Sequence, residues 1–171
     1  MLDLFGSITT FVFDVDGVLT DGTLFVFENG EQVRRMNIKD GYALQLAIKK
    51  GYRVAIFSGS VSEAVVKRLN KLGVMDVFMD VKDKKSRIQE YMLQHQISAE
   101  EMLFMGDDIP DYSIMKEVAL PCAPSDAVPE IKQIAKYISP FPGGQGCVRD
   151  VIEKVLKLRD HWDLDVTVPS K

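Results

Sequence analysis

Asp14 and Asp16 stand one residue apart where the apolar run Phe11-Val12-Phe13 gives way to Gly17. A buried strand, with Val15 continuing it, would hold Asp14 rigidly at its carboxyl end, and Gly17 lets the backbone bend sharply just beyond. Two carboxylates this close raise one another's pKa unless a cation balances them. A magnesium ion, which prefers oxygen ligands, does so most simply. A plain strand-to-turn junction accounts equally well for an isolated Asp-x-Asp-Gly, so the rest of the chain has to decide.

Three more apolar runs end in polar residues. Arg53-Val54-Ala55-Ile56-Phe57 leads into Ser58-Gly59-Ser60, Val77-Phe78-Met79 leads into the lysine-rich stretch from Lys82 to Lys85, and Met102-Leu103-Phe104-Met105 leads into Gly106-Asp107-Asp108-Ile109-Pro110-Asp111. Helical patterns follow them at about 61–72, 84–95 and 111–117. Strands alternating with helices predict an α/β fold, a doubly wound, Rossmann-like parallel sheet with helices on both faces. Right-handed crossovers bring every carboxyl end to one edge of such a sheet, so Asp14, Ser58, Lys84 and Asp107 should converge. Singly, Ser58-Gly59 reads as a turn, Lys84 as one exposed lysine in a run, and Gly106-Asp107-Asp108 as a helix cap. Their order, with Asp111 beyond what one cap needs, argues for chemistry.

These four ordered motifs resemble the haloacid dehalogenase superfamily of aspartate-nucleophile phosphatases. The short length, the segment Asn37-Ile38-Lys39-Asp40-Gly41, and Gly143-Gly144-Gln145-Gly146 with Arg149 resemble its capless subgroup. The resemblance implies a magnesium-dependent phosphomonoesterase working through an aspartyl phosphate. Asp14 is then the nucleophile and Asp16 the general acid and base. Magnesium would be held by Asp14, Asp107 and the backbone carbonyl of Asp16, with Asp108 and Asp111 supporting from behind. Ser58, the Gly59 amide and Lys84 would bind the phosphoryl oxygens. The implied substrate is 3-deoxy-D-manno-octulosonate 8-phosphate, in lipopolysaccharide precursor synthesis; the alternative is a nine-carbon ulosonate 9-phosphate of sialic acid type.

An acidic sugar phosphate needs cations beyond Lys84, and Lys39 and Arg68 are the candidates, with Asn37, Asp40, Gly41 and Ser60 in the same binding set. The subgroup commonly has arginine where this chain has Lys39 and Ser60, and each replacement removes a bidentate contact to a carboxylate. Residues 18–36 insert after the first strand as a β-hairpin around Asn29-Gly30, in place of a cap domain. Leu24-Phe25-Val26-Phe27 is apolar on both faces, which predicts packing against neighbouring subunits, and the resemblance implies a homotetramer. After a helical stretch at 147–159, the tail at 160–171 lacks periodicity. In the subgroup such a tail approaches a neighbour's site, near the glycine loop and Arg149.

Across 171 residues, 46% apolar content predicts one domain with a sizeable core. A net charge of −4 without a basic stripe argues against nucleic acid as a partner. Cys122 and Cys147 read as idle thiols in a reducing compartment. No run reaches membrane-spanning length and no signal pattern opens the chain, so a cytoplasmic protein is expected. A receiver domain would place its phosphorylated aspartate after the third strand, where this chain has lysines. A non-catalytic, metal-binding assembly domain remains the other class, and turnover would separate the two.

Overall fold

The computed structural model describes residues 2–169. Six parallel strands form one sheet in the order β5-β4-β1-β6-β7-β8. They are β1 (Thr10–Phe13), β4 (Arg53–Phe57), β5 (Asp76–Phe78), β6 (Met102–Met105), β7 (Leu120–Ala123) and β8 (Tyr137–Ile138). Alternation along the central strands builds two cores. Phe11, Phe13, Val54, Ile56, Leu103 and Met105 face α1 (Leu2–Ser7), α2 (Ile38–Lys49), α3 (Glu63–Lys71) and α7 (Cys147–Leu158). Val12, Ala55, Phe57, Met102 and Phe104 face α4 (Lys84–His95), α5 (Tyr112–Met115) and α6 (Pro129–Ile134). The sheet is therefore doubly wound, as its alternating elements predict.

Three local expectations change. Val15 does not continue β1, because the chain turns at once: Gly17 sits at φ 86° and the Thr20 amide donates to the Val15 carbonyl at 3.0 Å. The pattern at 84–95 is α4 end to end, whereas α3 and α5 are shorter than their patterns; Ser62 caps α3, its hydroxyl accepting from the Val65 amide at 3.3 Å. Strands β7 and β8 extend the sheet beyond the four apolar runs. Pro121 hides β7, since proline argues against an inner strand, yet the Pro121 carbonyl still accepts from the Lys136 amide at 2.9 Å.

The insertion is a small antiparallel hairpin, β2 (Phe25–Val26) and β3 (Gln32–Val33). Phe25 and Val26 are 63% and 69% exposed, so the hairpin does not fold back on its own core. The tail at 160–169 is ordered along α2 of the same chain. Lys49 pairs with Asp165 at 2.5 Å, Lys50 with Asp163 at 2.7 Å, and Gln45 donates to the Pro169 carbonyl at 2.9 Å. Val168 enters the core and Trp162 packs edge-on to Tyr42. No described helix is long and apolar enough to cross a membrane.

Asp40 ties α2 to α7. The N-cap of α7 is Gly146, which has no side chain to cap with, and Asp40 Oδ1 accepts from the Arg149 amide at 2.7 Å instead. The carboxyl is 1% exposed and its Oδ2 has no hydrogen-bond partner. Burial pushes its pKa from 3.8 up to about 6, against the pull of the Arg149 amide. With the folded value above the unfolded one, the unfolded chain ionises first. The stability tied to this group is therefore complete below about pH 4 and is lost as pH rises through about 6, on the order of 3 kcal/mol. Urea unfolding of Asp40→Asn should gain on the natural protein as pH rises over that interval; a pH-independent difference would show that the carboxyl ionises as easily folded as unfolded.

Candidate active site

The parallel order brings the ends of β1, β4 and β6 and the β5–α4 loop to one edge, where they surround a pocket of about 470 Å³. Asp14, Asp16, Ser58, Gly59, Ser60, Lys82, Lys84, Asp107 and Asp108 line it. Asp14 directly follows β1 and is fixed by its own backbone, its amide donating to the Met105 carbonyl at 3.1 Å. Its Oδ1 accepts from the Val15 amide at 2.7 Å, and its Oδ2 meets Lys84 Nζ at 2.8 Å. Lys84 opens α4 behind the N-cap Asp83 and is 6% exposed, far from the solvated lysine its neighbours suggest.

Asp111 lies behind both groups, fully buried. One of its oxygens accepts from Lys84 at 2.7 Å and the other from the Asp107 amide at 3.1 Å. Two glycines permit this crowding. A Cβ on Gly106 would overlap the Asp111 carboxylate, and one on Gly17 would overlap that of Asp107. Asp108 sits at the rim, where Oδ1 accepts from the Ile109 amide at 2.8 Å and starts the turn leading to Asp111. Ser58 is buried, with its hydroxyl 2.9 Å from that of Ser60, so position 60 presents a hydroxyl bonded to its neighbour in place of a cation.

Negative charge exceeds positive charge here. Carboxylate oxygens of Asp14, Asp107 and Asp111 lie within 4.8 Å of one another, with Lys84 among them. Burial, then repulsion from Asp111, pushes the pKa of Asp14 up to about 7 against the opposing pull of Lys84. Burial, followed by Asp14, Asp111 and Asp108, pushes Asp107 up to about 7 as well. Burial pulls Lys84 down, but Asp111 and Asp14 outweigh it and hold the ammonium above the usual lysine range. Asp107 Oδ1 is buried without any hydrogen-bond partner. An orphaned carboxylate oxygen beside a second strained carboxylate suits a hard divalent cation. Asp111 belongs to the lysine, since both of its oxygens already accept hydrogen bonds.

The other residues singled out from the sequence lie outside this pocket. Asn37 caps α2, accepting from the Lys39 amide at 2.8 Å, and donates to the Gly144 carbonyl at 3.3 Å. Lys39 lines a separate cavity with Phe141, Arg149 and Lys157. Asp40 is consumed by the α7 cap, and Gly41 makes room for the Arg68 guanidinium. Arg68 itself lines a groove between the hairpin and α3. The glycine loop is a buttress in this chain: the Gly144 amide donates to the Val18 carbonyl at 2.9 Å, and a Cβ on Gly143 would overlap the Gly17 carbonyl.

Two cations were missed by the sequence reading. Lys82 lines the pocket but hides in the run it shares with Lys84, and it pairs with Asp80 at 2.5 Å. Arg34, just past β3, forks onto Asp16, with Nε to Oδ1 at 2.7 Å and Nη2 to Oδ2 at 3.2 Å. The signal for Arg34 was the Arg34-Arg35 pair after a hairpin, since strand alternation sends neighbours to opposite faces.

The family model for haloacid dehalogenase-like hydrolases matches residues 70–149. Over 157 residues, covering 92% of this chain and 84% of the relative, the sequence is 32% identical to 3-deoxy-D-manno-octulosonate 8-phosphate phosphatase of Yersinia pestis. The chain belongs to the haloacid dehalogenase-like hydrolases, and it is a phosphatase. The structure of the same-named phosphatase from Moraxella catarrhalis, in complex with a magnesium ion, a phosphate ion and KDO, superposes with a TM-score of 0.92 at 26% identity, over 97% of this chain and 95% of that one. A cobalt-bound deoxy-D-mannose-octulosonate 8-phosphate phosphatase from Haemophilus influenzae gives 0.87 at 27% identity, over 92% of each chain.

Asp111→Ala leaves Lys84 paired with Asp14 but removes its second partner and the acceptor of the buried Asp107 amide, so it should lose about 1–3 kcal/mol in urea unfolding, whereas Asp108→Ala at the rim should lose about 0.5 kcal/mol. Equal losses would mean that Asp111 carries no special share of the site's electrostatics.

Proposed function

We propose that this phosphatase hydrolyses 3-deoxy-D-manno-octulosonate 8-phosphate to the free sugar acid and inorganic phosphate, serving lipopolysaccharide precursor synthesis in the cytoplasm. The observation that carries the reading is the Asp14, Lys84, Asp111 and Asp107 constellation at the ends of β1 and β6, together with the orphaned Asp107 oxygen. Similarity to phosphatases named for that substrate supports it, as does the KDO bound in the Moraxella catarrhalis structure.

In this reading Asp14, Asp107 and the Asp16 carbonyl hold magnesium. When bound, the ion supplies positive charge against the phosphoryl oxygens. Lys84 and the Ser58 hydroxyl, with the Gly59 amide, bind those oxygens and orient phosphorus toward Asp14. The Asp14 carboxylate forms a bond to phosphorus as the bond from phosphorus to the sugar oxygen breaks, and the proton of Asp16 goes to that oxygen. Water then attacks phosphorus, Asp16 takes its proton, and the aspartyl bond breaks to return Asp14 and release phosphate. The pull of Lys84, joined by that of the bound ion, would keep the Asp14 carboxylate ionised, the form a nucleophile needs.

Lys82 is the pocket cation available for the sugar's carboxylate, at the mouth rather than the floor. Because Ser60 carries no charge, recognition of a nine-carbon ulosonate 9-phosphate is the second reading. The exposed apolar face of Leu24, Phe25, Val26 and Phe27 supports assembly through the hairpin, in the same reading a homotetramer of single-domain subunits.

Phosphate release with magnesium should favour the eight-carbon substrate over the nine-carbon one and over a hexose phosphate. EDTA should abolish it and Asp14→Asn should lower it more than about a thousandfold. Lys82→Met should raise KM about fivefold for the acidic sugars and leave the hexose phosphate unchanged. Equal turnover of all three substrates would remove the pathway and keep the phosphatase. Sedimentation velocity should give a tetramer that Phe25→Asp with Val26→Asp dissociates; a natural protein that sediments as a monomer would refute the assembly.

A further inference from the structure

Arg34 and Arg35 are neighbours on an exposed flap with opposite fates. The Arg35 side chain is 71% exposed and reaches Asp21 at 2.5 Å. The Arg34 side chain is 5% exposed although Glu31, Gln32 and Val33 just before it are exposed. Thr20 and Met36 form an antiparallel bridge that closes the base of the insertion, so Arg34 emerges beside the turn that carries Asp16. Its guanidinium then engages both oxygens of Asp16.

A bidentate fork fixes the carboxylate plane as well as its position, which a point charge such as an ammonium does not. Among the described residues the other side chain hydrogen-bonded to Asp16 is Thr20, whose Oγ1 donates to Oδ1 at a long 3.5 Å. Asp16 is half-buried with its side chain 35% exposed, and a carboxylate at the pocket wall would otherwise sample several rotamers.

We infer that Arg34 is a positioning residue that holds the Asp16 carboxyl in line with the leaving oxygen, making the hairpin part of the catalytic apparatus as well as an assembly element. The inference rests on Asp16 being the general acid and base of the proposed reaction. During that reaction the proton passes from Asp16 to the leaving sugar oxygen and is later recovered from water. Arg34 exchanges no proton and remains a cation throughout. A cation that acts only through Asp16 affects steps that move this proton and spares those that do not.

Leaving groups separate these cases. Cleavage of an alkyl phosphate needs a proton on the departing oxygen, whereas nitrophenolate leaves p-nitrophenyl phosphate without one. Single-turnover cleavage should be measured for the sugar phosphate, and the nitrophenolate burst for the aryl ester, with the magnesium-loaded enzyme. Arg34→Gln should slow the sugar phosphate about thirtyfold and change the burst by less than about threefold, with Arg34→Lys in between, because general acid catalysis contributes about 10²–10⁴-fold. Arg35→Gln, which removes the other tether of the hairpin, should treat the two esters alike. Equal losses on both esters in Arg34→Gln, or none on either, overturn the inference. If Arg34→Gln does not fold, Arg34→Lys alone decides by the same criterion. Asp16→Asn distinguishes the two levels: a selective loss there without one in the Arg34 variants defeats only this inference, and no selective loss in Asp16→Asn defeats the acid and base assignment along with it.

Discussion

Asp14 and Asp16 are kept from behaving as one acidic patch by two cations delivered from different elements, Lys84 from the start of α4 and Arg34 from the end of the hairpin. Each carboxylate thus has a cation of its own at one strand end. Their separate partners give them separate environments. Asp14 is buried, backbone-anchored and crowded by Asp107 and Asp111, whereas Asp16 is half-open to the pocket. One environment suits a nucleophile neutralised from below and the other suits a group that trades protons with what enters the pocket.

The remainder of the fold is arranged around that crowding. Adjacency of β1 and β6 in a parallel sheet places Asp14 next to Asp107, and this adjacency is also the cause of the excess negative charge. Asp111 adds to it while holding Lys84 and the Asp107 backbone in place, and Gly17 and Gly106 leave the space in which the carboxylates meet. The glycine loop supports the same turn from the α7 side through the Gly144 amide on the Val18 carbonyl, and Asp40 of α2 caps the start of α7 at the Arg149 amide. Cys147 adds a bond from Sγ to the Val18 carbonyl at 3.3 Å. The buried thiol thereby serves the turn, and burial keeps its pKa above the ordinary range.

What was legible in the sequence is what depends on order. Asp14, Ser58, Lys84 and Asp107 each follow an apolar run, and a parallel sheet converts that order into proximity. What was not legible depends on the path of irregular chain. Lys39, Asp40 and Arg68 were grouped with the site by their types and by resemblance, but the helix faces of α2 and α3 carry Lys39 and Arg68 to other surfaces and bury Asp40 against the start of α7. Arg34 and Lys82 had the opposite fate, because the approach of a hairpin and the direction of a loop are set by tertiary contacts that no local period encodes. Pro121 concealed β7 for a related reason: a neighbouring strand tolerates the missing donor only where the pairing geometry does not call on it. The tail at 160–169 has no period either, and it is held by Lys49 at the end of α2 and by Lys50 just after it, more than a hundred residues earlier, with Val168 in the core.

The proposed division of labour between Asp14 as nucleophile and Asp16 as acid and base is tested most directly by trapping the enzyme during one turnover. Acid quenching with radiolabelled substrate, followed by borohydride reduction and peptide mapping, should find the phosphoryl group on Asp14, and with labelled p-nitrophenyl phosphate, whose leaving group needs no proton, Asp16→Asn should accumulate it because hydrolysis lacks its base. Label on any other side chain, or turnover with no labelled protein in either form, would contradict the account.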